Sequence, residues 1–198
     1  MAMQLKRIAL SLCLLLLVSG CANHNIPIPD FTQGAGSKVA LKSISINDRT
    51  SDPSFDSKRK LPFFGDLQAP IKQDTPFSKI VSNDINAYFQ KSQNSVHGIS
   101  VQIQIAEPYW TFTAEQRIPV LGLFAMGMDV EYGVYLRIQF EVEQNNKVLR
   151  TYLYDRVIKT TGKNMTEKDV EEGYQKLIST YRKEFFRQLD REFVERYF

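Results

Sequence analysis

Histidine, thiolate cysteine and paired carboxylates are the side chains that catalysis or metal binding calls on first, and this chain of 198 residues holds few of them. It has two histidines, His24 and His97, two cysteines, Cys13 and Cys21, and a spaced acidic pair, Asp129 and Glu131. His24 sits in a Pro-containing stretch and His97 in a polar turn, each far from the other. A Ser-His-Asp relay would have to run through His97, yet no G-x-S-x-G turn supplies a nucleophile. Neither H-E-x-x-H nor C-x-x-C occurs, and no calcium loop of the D-x-D-x-D-G kind is present. Gly34 and Gly36 follow no strand, so they do not read as a phosphate cradle. Asp129 and Glu131 alternate onto one strand face, a spacing that a general acid and base could use; polar strand faces ordinarily meet solvent instead. The expectation is a protein that is not an enzyme, with no catalytic residues, no cofactor and no metal site.

Cys21 carries different chemistry. Lys6 and Arg7 open the chain, an apolar run covers Ile8 to Val18, and Ser19-Gly20-Cys21 follows. Positive residues before an 11-residue apolar run form an export signal, and such a run is well short of the roughly 20 residues of a permanent membrane helix. Val18-Ser19-Gly20-Cys21 resembles the lipobox of bacterial lipoproteins: an aliphatic residue, two small residues and the cysteine. The resemblance implies that the Cys21 thiol takes a diacylglyceryl group, that residues 1–20 are removed, and that the new amino group receives a further acyl chain such as palmitate. Two or three acyl chains, at about 0.8 kcal/mol per buried methylene, hold a protein at a membrane where one chain is marginal. Ala22 follows the cysteine in place of the aspartate that favours inner-membrane retention, which implies the outer membrane, on its periplasm-facing side.

Removal of residues 1–20 also discards Cys13, so no pair remains for a disulfide. The formal charge of +3 falls to +1 without Lys6 and Arg7, which gives no electrostatic case for nucleic acid. With 43% hydrophobic and 24% charged residues, the full chain has the composition of a folded protein.

The pattern divides the chain into a signal peptide (1–20), a lipidated tether rich in Pro and Gly (21–37) and one domain (38–198). Lys38 to Asn47 reads as a strand whose apolar phase changes between Leu41 and Ile44. Asp48 to Thr75 is a long Pro-containing loop. Thr75-Pro76 then starts an amphipathic helix with Phe77, Ile80, Val81, Ile85, Tyr88 and Phe89 on one face. Ile99, Val101, Ile103 and Ile105 alternate as a strand that can run on through Tyr109-Trp110, and a longer alternation runs from Met128 through Val142. Gln144 to Lys147 supplies turn chemistry, and Val148 to Ile158 returns to complete an antiparallel hairpin. After a polar loop from Lys159 to Met165, Thr166 and Asp169 resemble a capping box for a long C-terminal helix whose apolar face runs from Val170 to Leu189. The order β-α-β-β-β-α predicts an α+β fold: a largely antiparallel sheet with both helices on its apolar face.

Two apolar stretches interrupt this plan. Ile118 to Met128, which includes Leu121, Leu123, Phe124 and Met126, carries Pro119, Gly122 and Gly127; Leu61 to Phe64 ends in Phe63 and Phe64 beside Lys58-Arg59-Lys60. Each can cover the core, or stand exposed to meet lipid or a protein partner. The alternating Tyr152 and Tyr154, with Arg150 and Arg156, offer a face that could bind a sugar or peptide or simply pack across the sheet. In element order the mature chain is similar to YajG-type lipoproteins and to the auxiliary lipoproteins of envelope transport systems. The expectation is a membrane-anchored, non-catalytic binding or assembly component of the cell envelope, partnered by the membrane through Cys21 and by an envelope protein. The alternative is a lipid-binding or lipid-transport accessory module that uses residues 118–128.

Overall fold

The structure is a computed structural model, and it describes residues 26–31, 39–55, 69–71, 73–112, 129–145 and 147–198. In chain order the elements are β1 (Ala40–Leu41), β2 (Ser43–Asp48), β3 (Ala69–Pro70), α1 (Phe77–Tyr88), β4 (Gln90–Lys91), β5 (Gly98–Phe112), β6 (Val130–Gln144), β7 (Lys147–Gly162) and α2 (Glu167–Leu189). The last helix continues through a π-helical segment, Asp190–Val194, and a final turn, Glu195–Tyr197.

Strands β5, β6 and β7 form an antiparallel meander. On the other edge of β5, its first half pairs with β2 in parallel and Trp110 and Tyr109 pair with the short β3 in antiparallel. The parallel pair is reached by a crossover that contains α1, as parallel neighbours require. The result is the α+β sheet expected from the pattern, with the β5 to β7 meander as its frame.

Period-two alternation along β6 sends Val130, Tyr132, Val134, Leu136, Ile138, Phe140 and Val142 into the core, each at most 2% exposed. Against them α1 buries Ile80, Val81, Ile85 and Tyr88, and α2 buries Tyr174, Leu177, Ile178, Tyr181, Phe185 and Leu189. At about 1.5 to 3 kcal/mol for each large apolar side chain removed from water, this layer is the main source of stability. Phe77 meets Tyr174 and Tyr181 edge-on, at 6.2 and 5.3 Å between ring centroids, so the two helices also pack against each other.

Local chemistry sets the boundaries. The Thr166 side chain accepts the Asp169 N–H at 3.1 Å while the Asp169 carboxylate accepts the Thr166 N–H at 3.0 Å, a reciprocal capping box built with aspartate. Asn145 takes a φ of 52° in the β6 to β7 turn, a left-handed conformation that asparagine tolerates better than most residues. Gly173 allows α2 to approach the sheet: a Cβ there would lie 2.4 Å from Tyr132 Cε2.

Several expectations change. Ile105 does not continue the face of Ile99, Val101 and Ile103, because the register slips between Ile103 and Ile105 and leaves Ile105 opposite Arg137. One extra residue reverses every side chain beyond it. The phase change near Leu41 is a break between two ladders: β1 pairs with β4, and β2 joins the main sheet. Strand β7 runs to Gly162 instead of ending at Ile158, since β6 begins at Val130 and pairs with it there. Beyond Leu189, Phe193 is fully buried against Phe140 and Tyr152. The π-helical segment, in which the Glu195 N–H reaches the Asp190 carbonyl, adjusts the helical phase at this point.

Candidate functional site

Among the described residues, His97 and the Asp129 and Glu131 pair are not brought together: His97 precedes the first residue of β5, and Glu131 lies opposite Thr111 near the other end of that strand; His24 and Cys13 lie outside the described residues. His97 stands edge-on to Phe198 at 5.8 Å, its Nδ1 makes no hydrogen bond among the described residues, and its carbonyl accepts the Lys42 N–H. Glu131 is ion-paired with Lys159 across the β6 to β7 pair at 2.9 Å, and Asp129 precedes the first residue of β6. Glu131 is thereby engaged in a cross-strand contact. Among the described residues no group of three His, Cys, Asp or Glu side chains could hold a metal ion.

The Tyr152 and Tyr154 face points into the protein. Tyr154 is fully buried beside Phe185, and Tyr152 stacks on Phe193 while its hydroxyl donates to Glu192 at 3.0 Å. Arg156 donates two hydrogen bonds to the same carboxylate, both at 3.1 Å. Burial raises the Glu192 carboxyl, but hydrogen bonds from Arg191 and Tyr152 and the Arg156 charge outweigh it and hold the group below the ordinary value. These residues clamp the end of α2 to the sheet.

The most developed polar assembly was not anticipated, and it involves the N-terminal segment. Asp84 on α1 is 2% exposed and meets Arg182 on α2 through two hydrogen bonds, Nε to Oδ2 at 2.9 Å and Nη2 to Oδ1 at 3.0 Å. Burial raises the Asp84 carboxyl above the ordinary carboxylate value, and Arg182 opposes the rise without cancelling it. The remaining Arg182 nitrogen, Nη1, donates to the carbonyls of Pro29 at 2.8 Å and Asp30 at 3.1 Å. The guanidinium also lies 5.3 Å from the centre of the Phe31 ring, and that ring packs on Phe186 at 5.1 Å. Gln175 donates to the Pro27 carbonyl at 3.3 Å, and Ile26 is buried in the core. Residues 26–31 therefore form a strap along α2, although the sequence placed them within a tether. Arg182 could have been suspected only as a charge close to the apolar face of a helix; its partners are about 98 and 150 residues away, which no local pattern records.

Cys21, Phe63, Phe64, Leu121, Leu123, Phe124 and Met126 lie outside the described residues. Residues 113–128 connect Phe112 to Asp129, so they join the described structure at the end of the sheet where β7 finishes with Gly162.

Exposed apolar side chains gather on β7. Val148, Leu149, Leu153 and Val157 are between 39% and 52% exposed, and among the described residues β7 pairs with β6 alone. Such a strand is a recognised template for pairing or docking, moderated here by Lys147, Arg150, Arg156 and Lys159.

No family model matches the chain, and no curated protein matches it. Among solved structures, a protein of the DUF330 family from Xanthomonas campestris is similar with a TM-score of 0.42 at 6% identity, over 83% of this chain and 92% of that one. A minor lipoprotein from Acinetobacter baumannii is similar with a TM-score of 0.33 at 12% identity, over 77% of this chain and 93% of that one. Likenesses at this level carry no functional weight.

Proposed function

We propose that the chain is a lipid-anchored, non-catalytic docking protein of the bacterial envelope, held through Cys21 at the periplasm-facing side of the outer membrane and engaging an envelope protein. The observation that carries the docking part is the clustering of Val148, Leu149, Leu153 and Val157 on an edge strand with one neighbour among the described residues. The anchor part rests on Val18-Ser19-Gly20-Cys21 and the export signal before it. Anchoring restricts the domain to the membrane neighbourhood and so raises its effective concentration toward a partner there without any added contact.

Intact-mass measurement of the protein purified from its native membranes, together with photo-crosslinking from Leu153 and Val157, tests both parts. The expected result is a mass for residues 21–198 plus acyl groups, and a discrete protein adduct that Leu153→Asp removes while the fold is retained. A mass for all 198 residues without lipid overturns the anchor. Copurifying lipid that Phe124→Asp removes, with no protein adduct, would replace docking with the lipid-handling reading of residues 118–128.

A further inference from the structure

The strap, the meander and α2 share one axis, and their alignment gives the domain an end that faces lipid. Gln175 holds the Pro27 carbonyl, and the adjacent Lys176 donates to the Thr161 carbonyl at 2.8 Å. Gly173, less than one turn earlier, is in contact distance of Gly162, where an added Cβ would lie 3.2 Å from the Gly173 Cα. Pro27 is thus level with the last residues of β7. From there the strap follows α2 toward its C-terminus, passing Arg182 at Pro29 and Asp30 and reaching Phe186 at Phe31. The chain before Ile26 therefore joins the domain at the Gly162 end.

We infer that this end, comprising Phe112, Val130, Gly162 and the turn that carries Met165, is seated against the bilayer, and that the strap holds it there. The inference rests on the lipid anchor at Cys21. Five residue steps separate Cys21 from Ile26, a reach of no more than about 17 Å in a fully extended chain. By contrast β6 has 15 residues, and at about 3.3 Å per residue it carries the opposite end of the sheet more than twice that distance away. A strap fixed by the burial of Ile26 and the packing of Phe31 on Phe186, together with Arg182, converts a short reach into an orientation, where a free tether of residues 21–37 would not.

The surface chemistry of this end fits a membrane interface. Phe112 and Met165 are large apolar side chains left 37% and 59% exposed. Charges near them are of both signs, Lys163 and Lys168 with Glu167 and Asp169, so the fit comes from apolar side chains at the headgroup boundary and not from attraction to anionic lipid.

The test uses the acylated full-length protein in vesicles of phosphatidylethanolamine and phosphatidylglycerol that contain lipid with a spin-label quencher. An environment-sensitive fluorophore is placed on Met165→Cys in one sample and on Gln93→Cys, which is exposed near the opposite end, in another. The expected result is strong quenching at 165, little at 93, and loss of the difference in Ile26→Ser/Phe31→Ala/Gln175→Ala, which removes the strap's apolar anchors and its first hydrogen bond to α2 while leaving Asp84 and Arg182 paired. Equal quenching at the two positions in vesicle-bound, acylated protein overturns the orientation and leaves the anchor standing, and a difference that survives the strap variant overturns the strap as the element that sets it. Protein that lacks acyl mass and does not float with vesicles overturns the anchor, and the orientation with it.

Discussion

Arg182 and Asp84 face each other across the two helices with paired hydrogen bonds of 2.9 and 3.0 Å, and the same guanidinium reaches two carbonyls of the N-terminal strap. One side chain thereby satisfies a buried carboxylate and fastens a segment about 150 residues distant. A buried pair of this kind adds little net stability over an apolar replacement, but removing one member leaves an uncompensated charge.

Arg182→Met should therefore cost about 3 kcal/mol near neutral pH by urea unfolding. The loss should depend on pH in a defined direction. Burial already raises the folded-state Asp84 carboxyl above its ordinary 3.8, and removing the opposing guanidinium raises it further. In the variant the folded state then binds the proton more tightly than the unfolded state, so stability falls as pH rises from about 3.8 through the raised value. The deficit relative to wild type should be smaller at pH 4 than at pH 7. A deficit that is constant over this range would show that Asp84 is not the group left exposed to the change.

Gly173→Ala reverses the usual expectation for a helix. Alanine in place of an exposed helical glycine gains about 1 kcal/mol from propensity. Here the new Cβ would meet Tyr132 at 2.4 and 2.5 Å, at a ring fixed by its own hydrogen bond to the Lys163 carbonyl. Overpacking of a closed core typically costs about 1 to 3 kcal/mol, so the denaturation midpoint should fall. A rise in the midpoint would mean that α2 can move away from the sheet.

Two buried tyrosines should respond oppositely to loss of the hydroxyl. Tyr132 donates to the Lys163 carbonyl at 2.6 Å, and Tyr132→Phe should lower stability by about 1 kcal/mol. The Tyr174 hydroxyl is buried without a hydrogen-bond partner among the described residues, and burial raises its phenol above the ordinary value. Tyr174→Phe removes an unsatisfied polar group and should be neutral or stabilising by up to about 1 kcal/mol. Thermal denaturation of the two variants side by side gives the comparison.

Thr166→Ala deletes one half of the capping box and frees the Asp169 N–H. A loss of about 1 kcal/mol is expected, with faster amide exchange confined to the first turn of α2. Exchange that speeds up along the whole helix would indicate that the cap, and not packing on the sheet, controls helix stability.

What the sequence determined by itself was local. The alternation from Val130 to Val142, the Thr166 and Asp169 cap and the repeating apolar face from Val170 to Leu189 each depend on neighbours within a few positions, and so identify strand, cap and helix directly. The element order then led to the α+β arrangement, because amphipathic pieces must cover one another's apolar faces. Tertiary structure decided matters that depend on residues far apart in the chain. The slip between Ile103 and Ile105 moves Ile105 to the face of Arg137, and it is visible only in register with β6. Tyr152 and Tyr154 face the core instead of solvent because Glu192 and Phe185 of the last helix come to meet them. Residues 26–31 form a strap because Arg182 presents three nitrogens where Asp84, Pro29 and Asp30 converge. Side-chain periodicity specifies which face a residue takes on its own element; the identity of what arrives at that face is set by packing and long-range pairing, and those are properties of the folded chain.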